Sequence, residues 1–149
     1  MAKVPRPTEA ELAILGVLWT KGPSTVRQVN DALSATRETG YTTTLKLMQI
    51  MAEKGLVTRD ERDRSHVYSA KLSQDQTQRQ LVTDLLDRVF DGSAAKLVIQ
   101  ALAAGKTSPE ELAEIRKLLS EKVRGTESAD EDLRAAGAPG KNEDRGGRP

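Results

Sequence analysis

The first 72 residues encode three helical segments followed directly by a β-hairpin, an order that few small folds accommodate. Thr8 and Glu11 have the spacing of a capping box, and apolar residues recur at helical spacing after them until Gly22. Thr25 and Gln28 repeat that spacing ahead of a short apolar stripe, which predicts a second helix over about residues 25–34.

The third helical segment and the hairpin complete this order. The helix begins after Gly40 and ends at a basic last turn, Lys54, followed by Gly55 as a C-cap. Two β-prone runs, residues 56–59 and 66–69, then flank a charged turn. We therefore predict a winged helix-turn-helix domain over residues 1–72, a fold in which the third helix can enter the major groove of DNA while the hairpin lies against the backbone.

The second half has only helical periodicity, so the chain as a whole is predicted to be mainly α. Helical runs begin at Ser73, Ala94 and Ser108, and each has an apolar face with no sheet nearby to cover it. A second copy of the chain is the simplest partner for these faces to pack against, because closed twofold dimers are the commonest soluble oligomers. We therefore predict that residues 73–124 form a three-helix dimerisation region of a homodimer. The predicted contacts are Leu81, Leu85, Leu86, Val89, Phe90, Leu97, Leu112, Ile115 and Leu119.

Residues 125–149 differ in composition from the rest of the chain. They hold five of the eleven glycines, two prolines, no aromatic residue and a single leucine, Leu133. Such a segment buries too little apolar surface to offset the entropy of ordering it. We predict that it is a disordered tail.

Charge and composition exclude several classes of protein. Residues 1–72 carry eleven Lys/Arg against eight Asp/Glu, residues 73–124 carry eight against eight, and the remainder carries four against six, so positive charge is concentrated in the first half. No apolar run approaches the roughly 20 residues of a membrane span, and the N-terminus lacks the apolar core of a signal peptide, so we expect a soluble cytoplasmic protein. The absence of cysteine excludes disulfides, thiolate metal sites and a cysteine nucleophile.

The third helix has one apolar and one polar face. At 100° per residue, Thr44, Leu47, Met48 and Met51 fall together, and Thr42, Lys46 and Gln49 fall opposite, with Thr43 and Leu45 at the margins. Lysine suits guanine acceptors or phosphate, glutamine suits adenine, and threonine or leucine suits a thymine methyl group. Any exposed helix face is polar, however, so these residues alone leave a DNA-reading face and an ordinary solvated face both open.

The hairpin turn carries arginines that could contact phosphates. Carboxylates alternate with them and neutralise the local field, so an ordinary solvated loop is the alternative. The predicted DNA contacts of the helix and the hairpin are Thr42, Thr43, Leu45, Lys46, Gln49, Arg59, Arg62 and Arg64.

Nothing in the sequence indicates an active site. His66, the only histidine, has no second metal ligand or nucleophile partner in sight, so we expect a strand residue with a structural contact. No glycine-rich phosphate loop and no nucleophile with a nearby base appears, so we expect no catalysis, cofactor or metal. The competing hypothesis is a winged-helix protein-interaction module in which nucleic-acid binding is incidental, and the modest positive charge leaves it open.

A string of motifs in fixed order resembles the penicillinase-repressor family, the BlaI/MecI/CopY repressors, over about residues 7–122. The motifs are Pro7-Thr8-Glu9-Ala10-Glu11-Leu12, Leu18-Trp19, Gly22-Pro23, Thr25-Val26-Arg27, Gly40-Tyr41-Thr42-Thr43, Glu53-Lys54-Gly55-Leu56-Val57 and Tyr68. The resemblance implies a dimeric winged-helix repressor that binds a palindromic operator in double-stranded DNA and blocks transcription.

The resemblance also implies how such a repressor is released, and here the chain departs from the family. Relatives that control β-lactam resistance are inactivated by a protease that cuts in the C-terminal region, at an Asn-Phe pair in the fifth helix, but residues 98–102 here read Val-Ile-Gln-Ala-Leu. The copper-responsive branch uses C-terminal cysteines, which this chain lacks. Thr44 and Ile50 replace residues that are commonly apolar and basic in the family. The operator sequence and the inducing signal therefore do not carry over.

Overall fold

The computed structural model describes residues 5–137, which are mainly helical. The elements are α1 (Glu9–Lys21), β1 (Ser24–Thr25), α2 (Val26–Ser34), α3 (Tyr41–Lys54), β2 (Val57–Asp60), β3 (Val67–Ala70), α4 (Gln74–Val89), α5 (Ala94–Ala103) and α6 (Pro109–Gly137). Three helices and a β-hairpin followed by three helices is the predicted fold class, which is confirmed. The chain forms two compact units that meet in sequence between Leu97 and Val98.

Local capping signals fix the first three helices where they were predicted. The Thr8 hydroxyl accepts a hydrogen bond from the Glu11 backbone N–H at 3.2 Å, and the Glu11 carboxylate accepts one from the Thr8 N–H at 2.8 Å. Thr25 and Gln28 form the same reciprocal pair at the start of α2. Gly55 ends α3 with φ 83°, a left-handed conformation that glycine adopts without steric cost.

The sheet has three antiparallel strands in the order β1-β3-β2. In the predicted hairpin, Val57 lies opposite Ala70 and Asp60 lies opposite Val67. Strand β1, which pairs with the other edge of β3, was not predicted because two residues carry no periodicity. His66 was expected in a strand but directly precedes β3.

One apolar core holds α1, α2, α3 and the sheet together. Leu15, Val29, Met51 and Val57 are buried in it, and Leu12, Trp19 and Leu47 are partly buried around it. The buried apolar residues are Ile14, Leu15, Leu18, Val26, Val29, Leu33, Met48, Met51, Leu56, Val57 and Tyr68.

Glu11 is a buried carboxylate at the edge of this core. Both of its carboxylate oxygens lie 3.1 Å from Lys54 Nζ, so the pair joins the start of α1 to the end of α3. Burial opposes ionisation, but the hydrogen bonds from the Thr8 backbone and from Lys54 outweigh it and lower the pKa of Glu11. The carboxylate is therefore charged and paired at neutral pH.

The final helix corrects the predicted boundary of the tail. Residues 125–137, which were expected to be disordered, continue α6, and the side chains of residues 125–136 are all exposed. Alanine, glutamate and arginine in this stretch favour a helix even where no core covers it. The prediction for residues 138–149 lies outside the described residues.

Candidate nucleic-acid interface

The outward face of α3 has the composition that its periodicity predicted. Thr42, Thr43, Lys46 and Gln49 are exposed, and Leu45 is partly buried. The opposite face, through Thr44, Met48 and Met51, is buried against the core. The helix therefore presents hydroxyl, ammonium and amide groups from a rigidly packed support.

Thr44, a polar residue on the inward face of α3, has a partner inside the fold. Its hydroxyl Oγ1 lies 2.8 Å from Asn30 Oδ1, and Thr44 is fully buried. Since a hydroxyl can donate and an amide oxygen can only accept, Thr44 donates and Asn30 accepts. This hydrogen bond joins α2 to α3 and fixes the rotation of the outward-facing helix.

A cleft of about 440 Å³ lies between α3, the start of α2 and the hairpin. It brings together four predicted contact residues, Leu45, Gln49, Arg59 and Arg64, but Arg62 does not line it. The full lining is Thr25, Val26, Arg27, Tyr41, Leu45, Gln49, Arg59, Arg64, Ser65, His66 and Tyr68. Three arginines therefore border the outward face of α3.

Arg27 and Tyr41 are members of this cleft that the sequence did not single out. The Arg27 guanidinium carbon lies 5.4 Å from the centre of the Tyr41 ring, within the range of a cation–π contact. Their nearness depends on the packing of α2 beside α3, which periodicity does not show. His66 also lines the cleft, and no group of residues that could hold a metal ion occurs among residues 5–137.

The arginines of the wing, which we define as residues 57–70, are not equally available. Arg62 donates to the Asp60 carboxylate through Nε at 3.0 Å and through Nη2 at 2.6 Å, and Arg59 lies 2.5 Å from Glu61. Arg64 forms no ion pair with any described residue. The wing therefore offers one unpaired arginine, beside the cleft.

The residues predicted to form the dimer contact lie on α4, α5 and α6 and take no part in this cleft. Among residues 94–136, no side chain of α5 or α6 is buried, and Thr77 is the buried residue of α4. Leu85, Val89, Leu112 and Leu119 are between 42% and 63% exposed. Leu81, Leu86, Phe90, Leu97 and Ile115 are partly exposed. Within residues 5–137, no helix has the length and apolarity to cross a membrane.

Known proteins resemble the chain over most of its length. The family model for the penicillinase repressor matches residues 7–121. The transcriptional regulator BlaI of Mycobacterium tuberculosis is 32% identical over 126 residues, which cover 84% of this chain and 91% of the regulator. The penicillinase repressor of Bacillus licheniformis is 24% identical over 121 residues, which cover 81% of this chain and 94% of the repressor.

Among solved structures, the monomeric form of Bacillus licheniformis BlaI in complex with the blaP half-operator is 24% identical, with a TM-score of 0.44. That match covers 50% of this chain and 92% of the solved one. Since the family match runs from the start of α1 well into α6, the chain belongs to the penicillinase-repressor family.

Proposed function

We propose that the chain is a transcriptional repressor that binds a palindromic operator as a homodimer, with α3 in the major groove. The observation that carries the proposal is the exposed face of α3, on which Thr42, Lys46 and Gln49 stand clear of the core. Membership of the penicillinase-repressor family supports repression, and the names of the relatives describe regulators of transcription.

The side chains of this face divide between reading bases and holding phosphates. Gln49 can make a bidentate contact with adenine, Lys46 can reach guanine or a phosphate, and Thr42, Thr43 and Leu45 can contact a thymine methyl group. Arg27 and Arg64 line the cleft and could contact the phosphates that flank the groove. Such contacts fix register without reading sequence.

The uncovered apolar side chains of the second half support the homodimer. Val89, Ile99, Leu118 and Val123 are between 55% and 63% exposed in the single chain. Apolar surface of this kind marks an interaction site in a protein that stays in solution. A second copy would cover it and would hold two α3 helices about one helical turn of DNA apart, which is the spacing of a palindrome.

The proposal places the protein in the cytoplasm, where the chromosome of a bacterium is. A protease that cut the chain between α4 and α6 would detach part of the dimer contact from the DNA-binding half. Such a cut would release the operator without changing α3.

A titration of the full chain tests the proposal. We would measure affinity for a labelled fragment upstream of its own gene and for a random fragment of equal length, each at two salt concentrations. We expect tighter binding to the upstream fragment than to the random one. We also expect the affinity to fall steeply with salt, because phosphate contacts release counterions. Equal affinity for both fragments, or no salt-dependent binding, would favour the protein-interaction module instead.

A further inference from the structure

The wing carries an exposed arginine, Arg62, that is paired within the wing. The side chain of Arg62 is 89% exposed, yet both Nε and Nη2 donate to the Asp60 carboxylate. The Arg62 backbone N–H also donates to Asp60 Oδ1 at 3.1 Å, so the same carboxylate shapes the turn.

Both members of this pair are charged across the whole pH range in which DNA binding is measured. The side-chain and backbone hydrogen bonds from Arg62 lower the pKa of Asp60 to about 2. Asp60 is therefore fully ionised near neutral pH. For Arg62 to present Nε and Nη2 to a phosphate, it must leave Asp60. A phosphate that binds the remaining Nη1 meets a guanidinium whose charge the neighbouring carboxylate already neutralises.

We propose that Asp60 is a specificity-determining residue that lowers sequence-independent affinity for DNA by occupying Arg62. The inference rests on the proposed function. Binding to random DNA is supplied almost entirely by phosphate contacts, and any phosphate within reach can satisfy a free arginine. In the operator complex, base contacts by α3 fix the register of the wing, so a free Arg62 gains less there. Asp60 thereby raises the ratio of operator affinity to random-DNA affinity.

The decisive comparison is Asp60→Asn against Asp63→Asn in the full chain. Both substitutions remove one negative charge from the same turn, but Asp63 forms no ion pair with a described residue, so only the first releases an arginine. Asparagine at position 60 keeps Oδ1 as the acceptor for the Arg62 backbone N–H and so preserves the turn. Equal melting temperatures of the two variants check that the fold is intact.

We expect Asp60→Asn to bind random DNA roughly three- to fivefold more tightly for each wing that contacts it, the worth of one exposed ion pair. The slope of log affinity against log salt should steepen by about 0.9 per wing. Asp63→Asn should change the slope little, and the operator should gain less than random DNA. In Asp60→Asn/Arg62→Ala the gain should disappear.

Each arm can overturn the proposal by itself. Equal behaviour of Asp60→Asn and Asp63→Asn would show that Arg62 is not held back, and a gain that survives in the double variant would show that another group is responsible. An operator gain as large as the random-DNA gain would remove the role in specificity. If the wild-type chain shows no salt-dependent binding to any DNA, the proposed function fails instead.

Discussion

Gln49 stands at the border between the outward face of α3 and the cleft, so it can reach a base edge. We expect Gln49→Ala to weaken operator binding by about 1 to 3 kcal/mol, the worth of a bidentate base contact, and to leave random-DNA affinity unchanged. Lys46→Ala should cost a similar amount if Lys46 reads guanine. Affinity titrations on both DNAs measure this, with Gln78→Ala, an exposed glutamine of α4, as the matched control.

Equal losses on operator and random DNA would remove Gln49 from the residues that read sequence. Lys46 is informative in a different way, because an ammonium group can serve a base or a phosphate. A loss on both DNAs with a shallower salt slope would make Lys46 a phosphate contact and leave base reading to Gln49 and the threonines.

The Glu11–Lys54 ion pair should make the stability of the fold depend on pH. The folded state lowers the pKa of Glu11 below its ordinary value of 4.5, so the pair stabilises the fold above that pH and loses its contribution as pH falls through the lower folded value. We expect Glu11→Gln to lower the free energy of unfolding at pH 7 by about 1 to 2 kcal/mol, since Gln still accepts from Thr8 but cannot pair with Lys54.

Denaturant unfolding of both proteins from pH 7 down to pH 3 checks this expectation. The difference between wild type and Glu11→Gln should shrink towards the acid end. Glu9→Gln removes an exposed carboxylate from the first turn of the same helix and should show only the smaller, solvent-screened loss of its interaction with the helix dipole. A difference that stays constant with pH would mean that packing, and not the charge of Glu11, accounts for the loss.

The packing of α2, α3 and the wing around the cleft predicts a set of variants that act on all DNA alike. Arg27 and Arg64 line the cleft and form no ion pair with a described residue. We expect Arg27→Ala and Arg64→Ala each to weaken operator and random DNA by the same factor, and to lower the salt slope by about 0.9 for each phosphate that is no longer neutralised. Titration over a series of salt concentrations gives the slope directly.

Arg27→Lys is the control for Arg27→Ala. Lysine keeps the charge, so it should retain the salt slope, although its contact with the Tyr41 ring differs from that of a guanidinium. If Arg27→Lys loses as much affinity as Arg27→Ala, then Arg27 acts by holding Tyr41 and α3 in place and is not a phosphate contact.

The elements that the sequence predicts well are those with local signals. Thr8 with Glu11, Thr25 with Gln28, and Gly55 each set a helix end through bonds within a few residues, so the bounds of α1, α2 and α3 follow from reading along the chain. The outward face of α3 follows equally well, because helical periodicity fixes which residues lie opposite the core.

The features that the sequence does not predict depend on tertiary packing, on which side chains pair in the turn, or on helix propensity outside the core. Residues 27, 41 and 64 meet only after α2, α3 and the wing have packed. Which arginine of the turn is paired depends on the conformation that Asp60 imposes on Arg62, and alternating charges in a sequence do not specify it. In α6, helix propensity extends the element beyond the last core-forming residue.

The apolar side chains of the whole molecule are of two kinds, those buried in the core of the first half and those exposed in the second half. Every member of the buried core cluster lies between Ile14 and Tyr68, so the DNA-binding half has a complete core of its own. None of the large apolar side chains described in α5 and α6 is buried, and Ile99 and Leu119 are 62% and 53% exposed. We therefore expect the first half to fold alone and the second half to be covered by a partner.

This division predicts that a fragment ending at Leu72 folds as a monomer and binds operator weakly. It retains the whole core cluster. In the full chain the Trp19 indole N–H donates to the Leu72 carbonyl at 3.0 Å, and in the fragment the terminal carboxylate of Leu72 can accept the same hydrogen bond. In the dimer, binding of one half-site makes binding of the second effectively intramolecular, so removing the dimer interface should cost about 100-fold or more in operator affinity. Sedimentation gives the mass, and titration gives the affinity for a full operator and for a half-site.

The full chain carrying Leu85→Asp tests the role of dimerisation without truncation. Leu85 is 42% exposed, so its substitution leaves the core intact. An aspartate in an apolar dimer interface must lose its hydration without a partner, so this variant should also be monomeric and should bind a half-site as well as the wild type does. Gln78→Asp, on an exposed position of the same helix, should remain dimeric. A fragment that stays dimeric, or a monomer that binds the full operator as tightly as the intact chain, would show that the second half does not act by joining two DNA-binding domains.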